Sequence, residues 1–207
     1  MKNKSTSYLI GILTVMALAG FLYVAVHAVF YAPEAEVPLP PGLKVVDVSN
    51  SSYQEKKVGD EVPVRLRIPS IHVDALIQAV GITRKGNMST PTNFTDVGWY
   101  KYGVAPGENG SAVIAGHVDN GLSLPAVFSN LNDLHVGDNI YIEMSGGSEL
   151  HFIVTEADTY DYNAPTNDVF TDSGSPQVRL ITCAGTWIQE LRTHNKRLVV
   201  TAALQNS

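Results

Sequence analysis

Three residues of the chain carry side chains that together can catalyse acyl transfer: a thiol, an imidazole and a guanidinium. Cys183 ends the β-prone run RLITC, His117 follows the run SAVIAG, and Arg197 opens the run RLVVTAAL. A thiol is mostly protonated at neutral pH, and a nearby imidazole or cation raises its reactive thiolate population. An arginine keeps its proton and can donate hydrogen bonds to a developing oxyanion. These residues are the candidate nucleophile, acid/base and oxyanion donor.

Two neighbours of these residues are further candidates. Thr182 precedes the cysteine and is a candidate contact for a peptide substrate. Asp119, two residues after His117, either orients the imidazole or caps a loop. Four other histidines lack a partner at metal-ligand spacing, so we expect surface or turn positions for His72, His135, His151 and His194.

Cys183 is the only cysteine of the 207 residues. One thiol cannot form an intramolecular disulfide or a cysteine-based zinc or iron–sulfur site, so it is either buried packing or a reactive group. The chain has 14 basic and 20 acidic residues, a net charge of −6, and its basic residues are scattered. This pattern lacks the basic patch of a nucleic-acid binder, and we expect no nucleic-acid partner.

The N-terminal region predicts export. Residues 8–32 contain no Lys, Arg, Asp or Glu and are long enough to cross about 30 Å of hydrocarbon as a helix. Lys2 and Lys4 precede this run and Glu34 and Glu36 follow it, which places the N-terminus in the cytoplasm and the rest outside. A secretory signal peptide has the same layout, but its apolar region is typically shorter, so we favour an uncleaved anchor.

The chain divides into three parts by composition. Residues 1–32 are a cytoplasmic tip and transmembrane anchor or signal peptide, 33–60 are a proline-rich and then polar stalk, and 61–207 are the catalytic domain. This organisation predicts a single-pass protein of the cell membrane with an extracellular domain. The domain is large enough for one hydrophobic core.

The pattern of residues 61–207 predicts short strands separated by turn residues, which favours an antiparallel barrel or sandwich. One short helix is predicted at 124–134, where apolar residues fall at helical spacing after a proline. A turn is predicted at 106–110 and a hairpin loop at 145–148. The predicted strands are 64–68, 75–80, 111–116, 139–143, 150–154, 177–182 and 197–203.

The sequences around the three candidate residues resemble the sortase family of Gram-positive cell-surface cysteine transpeptidases. Leu180-Ile181-Thr182-Cys183 matches the family's L-x-T-C signature, with Gly116-His117 upstream and Arg197 shortly downstream. The resemblance covers about residues 62–204. Four stretches are similar to the class F sortases in particular: GNMSTP at 86–91, VGWYKYGVAPGENGSAVIAGHVD at 97–119, PAVFSNLNDLHVGD at 125–138 and RLITCAG at 179–185.

The resemblance implies an eight-stranded sortase-type β-barrel with one or two short helices, and cleavage of an LPxTG-type sorting signal. It implies that Cys183 forms a thioacyl intermediate, that His117 protonates the leaving amine and deprotonates the incoming one, and that Arg197 binds the oxyanion. It implies no metal or organic cofactor. The implied partners are sorting-signal proteins and an amine acceptor such as a peptidoglycan precursor or cross-bridge, and we expect a monomeric domain.

Several alternatives stay open. Arg192 lies five residues before Arg197 and could take its role, although RLVV places Arg197 on the terminal strand. A cell-wall cysteine hydrolase or L,D-transpeptidase would use a similar Cys and His, but the S-x-G-C-x-R context of the latter is absent. The third option is a non-enzymatic surface-binding barrel. Segment 160–176, which is rich in Asn, Asp and Pro, could cover the site before substrate arrives.

Overall fold

The computed structural model describes residues 4–30, 36–37, 61–84, 86–164 and 174–205. The described chain starts with one long helix and continues as strands joined by turns. In chain order the elements are α1 (Lys4–Phe30), β1 (Glu36–Val37), β2 (Pro63–Ile68), β3 (Val73–Val80), β4 (Met88–Ser89), β5 (Val97–Tyr100), β6 (Gly110–Ala115), β7 (Asn139–Met144), β8 (Glu149–Asp161), β9 (Pro176–Ile188) and β10 (Thr193–Leu204).

Helix α1 is apolar around its whole circumference. Its Ile10–His27 window has a mean hydropathy of 2.1, and none of that window is buried against the rest of the described protein. By length and composition this helix can cross a membrane, and a signal sequence would have the same properties. Of the predicted stalk at 33–60, only Glu36 and Val37 lie within the described residues, where they pair with β4.

The eight longer strands close into a barrel in the order β10-β8-β7-β2-β3-β5-β6-β9. The predicted eight-stranded barrel is therefore confirmed. The prediction that the sheet is antiparallel throughout is wrong, because β3 pairs with β5 and β6 pairs with β9 in parallel. Parallel neighbours need long crossover connections, which residues 81–96 and the long excursion through β7 and β8 supply.

Alternate residues of each barrel strand face the interior, as barrel geometry requires. The main core cluster contains Ile114 of β6, Leu180 of β9 and Leu198 of β10. The intervening residues Ala115 and Ile181 belong to a second buried cluster on the outer face. The wall formed by β6, β9 and β10 therefore carries buried apolar residues on both its inner and its outer face.

The α-helix predicted at 124–134 is wrong. The segment forms successive turns and a single 3-10 turn at Leu131–Asp133. In an α-helix the N–H of Phe128 would bond four residues back, but it donates to the carbonyl of His117 at 2.9 Å. The N–H of Val127 donates to Phe94 at 2.9 Å in the same way. The backbone donors of this segment therefore hold it against the neighbouring loops.

The seven predicted strands are all present, although β8, β9 and β10 run well beyond their predicted ends. Strand β5 was not predicted, because all four of its residues are buried and it shows no alternation. The hairpin loop at 145–148 is confirmed by the bond from the Met144 N–H to the Ser148 carbonyl at 2.8 Å. Segment 160–176, which could cover the site, lies mostly outside the described residues.

Candidate active site

The strand register brings Cys183, Arg197 and His117 into one row. Arg197 of β10 is the direct antiparallel partner of Cys183 of β9. Strand β6 runs parallel to β9 with Ala115 opposite Ile181, and the Gly116 N–H donates to the Ile181 carbonyl at 3.0 Å. Continuing this register by two residues places His117 level with Cys183. Cys183 and Arg197 thus face each other on adjacent strands, and His117 lies two residues beyond the end of β6, the other neighbour of β9.

The side chains of this row lie on the outer face of the barrel. Cys183 is two residues after Ile181, and Arg197 is two residues before Val199; both apolar residues belong to the outer buried cluster. Because strand side chains alternate between faces, the thiol and the guanidinium share that face. Directly opposite residues of a strand pair have Cβ atoms about 4.5–5.5 Å apart, which brings the two groups within reach of one substrate carbonyl.

Thr182 and Gly116 lock the two strands from the inner side. The Thr182 hydroxyl, in a residue only 4% exposed, donates to the Gly116 carbonyl at 2.8 Å. A Cβ on Gly116 would lie 2.5 Å from the Phe128 ring of the core, so this position has no room for a side chain. The structure therefore does not bring the Thr182 side chain to the outer face with Cys183; it uses it to align β6 with β9.

The imidazole of His117 is held by the segment that precedes β5. Its Nε2 lies 3.2 Å from the carbonyl oxygen of Pro91, and its ring centroid is 5.1 Å from that of Phe94. A carbonyl can only accept, so Nε2 carries the hydrogen of this bond, and Nδ1 is left to take and release a proton. Burial lowers the pKa of His117, opposed by the Pro91 hydrogen bond and by the charge of Asp119.

The loop that carries Pro91 and Phe94 is itself ordered by side-chain hydrogen bonds. The Asn93 amide oxygen accepts the backbone N–H of Thr95 at 3.0 Å, which closes an Asx turn, and also that of Asp96 at 2.7 Å. The Gln78 amide of β3 donates to the Asp96 carboxylate at 2.9 Å, and its oxygen accepts the Thr92 N–H at 3.1 Å. This network ties the carbonyl that contacts His117 to the barrel wall.

Burial also governs the thiol. It raises the pKa of Cys183 above its ordinary value of 9.0; the nearby Arg197 lowers it, and Asp119 adds to the rise. The shifts of Cys183 and His117 go in opposite directions, and both favour the uncharged form. Between the two pKa values the resting site therefore holds mainly a neutral thiol and a neutral imidazole. The thiolate is therefore the minor form of Cys183 in the resting site.

Arg197 is nearly buried, at 8% exposed. Its Nη1 donates to the carbonyls of His194 and Lys196 at 3.0 and 2.8 Å, and its Nη2 donates to the Thr193 hydroxyl at 2.9 Å. These bonds hold the guanidinium over the first residues of its own strand. Arg192, the alternative, is exposed in the turn between β9 and β10 with a φ of 51°, and it is not in register with Cys183.

A bulge follows the cysteine on β9. The β9–β10 register shifts between His194 and Lys196, so that Gly185 and Thr186 face the single residue Asn195. Gly185 has a φ of +78°, and a Cβ there would lie 2.2 Å from the Asn195 side-chain oxygen. That oxygen accepts the Thr186 N–H at 2.8 Å. The bulge redirects the hairpin just beyond the reactive row.

Two features of the site were not predicted. Pro91 and Phe94 carry no chemical signature, since a backbone carbonyl and an apolar ring do not reveal their contacts in sequence. His194, expected at the surface or in a turn, has a side chain only 11% exposed, and its Nε2 lies 3.5 Å from the Asp119 carboxylate. Asp119 thus contacts His194, while the Pro91 carbonyl orients His117. Within the described ranges, no three His, Cys, Asp or Glu side chains gather as a metal site.

Residues 66–205 match the family model of the sortase domain, so the chain belongs to the sortase family. Solved sortases share the fold. Sortase C-1 from Actinomyces oris is 27% identical with a TM-score of 0.57, and the match covers 86% of this chain and 92% of that one. Sortase C1 of the group B Streptococcus Pilus Island 1 is 25% identical with a TM-score of 0.53, covering 70% of this chain.

The chain spans 64% of the length of that pilus-island sortase, somewhat less than two thirds. Sortase A from Corynebacterium diphtheriae, solved as a lid mutant, is 24% identical with a TM-score of 0.55 over 74% of this chain and 75% of that one, which supports the fold alone. No curated protein sequence matches the chain significantly.

Proposed function

We propose that this chain is a cysteine transpeptidase of class F sortase type, which cleaves an LPxTG-like sorting signal and transfers the acyl part to an amine. The observation that carries the proposal is the row of Cys183, Arg197 and His117 on the outer face of β6, β9 and β10. The family membership supports the same reaction class. The class F assignment, the signal and the acceptor rest on the motifs in the sequence.

Each residue of the row has a role in this reaction. The Cys183 thiol first passes its proton to Nδ1 of His117, and the resulting thiolate attacks the threonine carbonyl. The oxyanion is stabilised by Arg197, whose guanidinium keeps its charge at any working pH. Collapse of the tetrahedral intermediate breaks the Thr–Gly bond. The glycine amine leaves with a proton from His117, and the acyl group stays on sulfur as a thioester.

The second half-reaction reverses these steps with a different amine. His117 takes the proton of the incoming amine, the new amide forms, and the thiolate leaves. The Pro91 carbonyl at 3.2 Å occupies Nε2, so Nδ1 is the atom that moves the proton in both halves. The neutral resting pair suits this cycle, because the imidazole acts as an acid after it has received the thiol proton and as a base after it has given that proton up.

The N-terminal helix supports a location at the cell membrane. We propose residues 1–32 as the anchor, 33–60 as the stalk and 61–207 as the extracellular catalytic domain. An amine acceptor from peptidoglycan would then lie on the same side of the membrane as the site. Attachment of sorting-signal proteins to the cell wall is the biological role that follows.

The test uses the full chain in detergent micelles with a fluorogenic LPxTG peptide, with and without an amine acceptor such as a glycine peptide. We expect cleavage, a transpeptidation product that depends on the amine, and a loss of at least about 10⁴-fold in Cys183→Ala. No cleavage by the wild type, or undiminished cleavage by Cys183→Ala, would contradict the proposal. Cleavage without any amine transfer would support a cysteine hydrolase, and intact binding of a surface ligand by Cys183→Ala would support a binding barrel.

A further inference from the structure

Beside the reactive row lies a pair of side chains that the reaction as described does not use. The His194 imidazole Nε2 is 3.5 Å from the Asp119 carboxylate, with the two side chains 11% and 36% exposed. The Trp187 ring meets the His194 ring edge-on at 5.3 Å between centroids. Trp187 is also the direct strand partner of His194. The imidazole is thus held between an indole and a carboxylate.

The two members of this pair belong to segments that are not neighbours in the barrel. Asp119 is two residues after His117, in the segment that leaves β6. His194 is on β10, three residues before Arg197, and its carbonyl accepts a hydrogen bond from Arg197 Nη1 at 3.0 Å. Strand β9 lies between β6 and β10. The contact therefore bridges over the strand of Cys183 and links the segment of the acid/base to the strand of the oxyanion donor.

The pair also affects the charge balance at the thiol. The charge of Asp119 raises the pKa of Cys183 and the pKa of His117, whereas Arg197 lowers that of Cys183. The charge of Asp119 acts on His117 of its own segment and on Cys183 of β9, and its carboxylate lies 3.5 Å from His194 of β10. A carboxylate at this place opposes the thiolate, so its position relative to Cys183 matters for the reaction.

We propose that Asp119 and His194 form a positioning pair, which fixes the His117 segment against the start of β10 and sets the place of the carboxylate beside Cys183. This inference rests on the proposed function, since the spacing matters only if His117, Cys183 and Arg197 react together. Neither residue touches the scissile bond in this account. Both act through the residues next to them in the chain.

The first test is a double-mutant cycle in the full chain with Asp119→Asn, His194→Gln and the double variant. We expect each single change to lower kcat for the LPxTG peptide by about tenfold with a smaller change in KM, and the double variant to be no worse than the poorer single one. Losses that multiply independently would overturn the proposal.

The second test does not require turnover. The rate of Cys183 alkylation by iodoacetamide is measured against pH, and Asp119→Asn should shift the profile to lower pH because a negative charge near the thiol is removed. A role in loop stability alone would leave that profile in place. Asp74→Asn is the matched control. It removes a carboxylate of β3 that is paired with Arg65 of β2, and it should change neither kcat nor the profile.

The two proposals can fail separately. A wild type that cleaves peptide while Asp119→Asn leaves the alkylation profile unmoved contradicts the positioning pair alone. A wild type that does not cleave contradicts the proposed function, and the alkylation profile still decides whether Asp119 acts on the thiol. If His194→Gln does not fold, as judged by thermal melting, the Asp119→Asn profile decides alone.

Discussion

The outer face of the barrel has two walls of opposite character. On β2 and β3, the Arg65 side chain donates to the Asp74 carboxylate at 2.6 Å, and the two side chains are 45% and 52% exposed. On β9 and β10, Arg197 is 8% exposed and faces a thiol. Both walls place an arginine opposite a group that can be negative, and only in the second is the arginine buried.

The pKa shifts follow this difference. Hydrogen bonding to Arg65 lowers the pKa of Asp74, so the exposed wall favours the charged form of its acid. On the other wall burial is the largest influence, and it raises the pKa of Cys183 in spite of the neighbouring Arg197. A neighbouring arginine is therefore not sufficient to ionise the Cys183 thiol in the resting site. Burial therefore keeps the thiol opposite Arg197 in its neutral form at rest.

Substitution of Arg197 should have the largest effect on the difference between the two walls. We expect Arg197→Ala to lower kcat/KM about 10²- to 10³-fold, the usual cost of losing one oxyanion donor. Arg192→Ala is the matched control, because it is exposed in the hairpin turn, and it should stay within about twofold. Steady-state peptide kinetics of both variants decide the matter, and a large loss confined to Arg192→Ala would reverse the assignment.

The pH dependence sharpens the same contrast. The pKa of His117 is lowered from 6.5 and that of Cys183 is raised from 9.0. The profile of kcat/KM reports both groups in the free enzyme, so its acid limb should lie below pH 6.5 and its alkaline limb above pH 9.0. A profile measured from about pH 5 to pH 10 tests this. An acid limb above 6.5 or an alkaline limb below 9.0 would show that burial does not dominate.

Gly116→Ala tests whether the Thr182–Gly116 contact on the inner face positions Cys183 and His117 on the outer face. Its Cβ would meet the Phe128 ring at 2.5 Å, so the end of β6 or the ring must move. Such overpacking costs about 1–3 kcal/mol, and we expect a lower Tm together with reduced kcat. Gly121→Ala is the control in the same segment, where nothing lies within 4 Å of the added carbon. Equal Tm values for the two variants would contradict the lock.

The smallest effect is expected on the exposed wall. Arg65→Gln removes the partner of Asp74, and the pKa of that carboxyl should return towards its ordinary value of 3.8. Peptide kinetics should be unchanged, since β2 lies across the barrel from β9. NMR titration of the Asp74 carboxyl and a parallel activity assay check both statements. A clear loss of activity would mean that the two walls are coupled.

The sequence predicted the parts of this molecule that depend on local pattern. Alternation located seven strands, and the family signature pointed to the segments of His117 and Cys183. It missed β5, whose four buried residues do not alternate, and the parallel pairings, which depend on how distant segments meet. The helix predicted at 124–134 is wrong, because helical spacing of apolar residues also occurs in successive turns whose backbone N–H groups bond to other loops.

The site shows the same division. The sequence identified Cys183, His117 and Arg197 as candidates. Their position on one face depends on the register between strands that are far apart in sequence, which the sequence does not give. The carbonyl of Pro91 that holds His117, and the contact of Asp119 with His194, are products of loop packing. A side chain's type indicates its chemistry, but its partner is fixed only when the chain folds.

The most direct measurement is mass spectrometry of the full chain after brief incubation with an LPxTG peptide in the absence of amine. The account predicts an adduct on Cys183 whose mass equals the peptide up to its threonine minus water, and its discharge when a glycine peptide is added. Cleavage of the peptide with Cys183 unmodified throughout, or an adduct on any other residue, would contradict it.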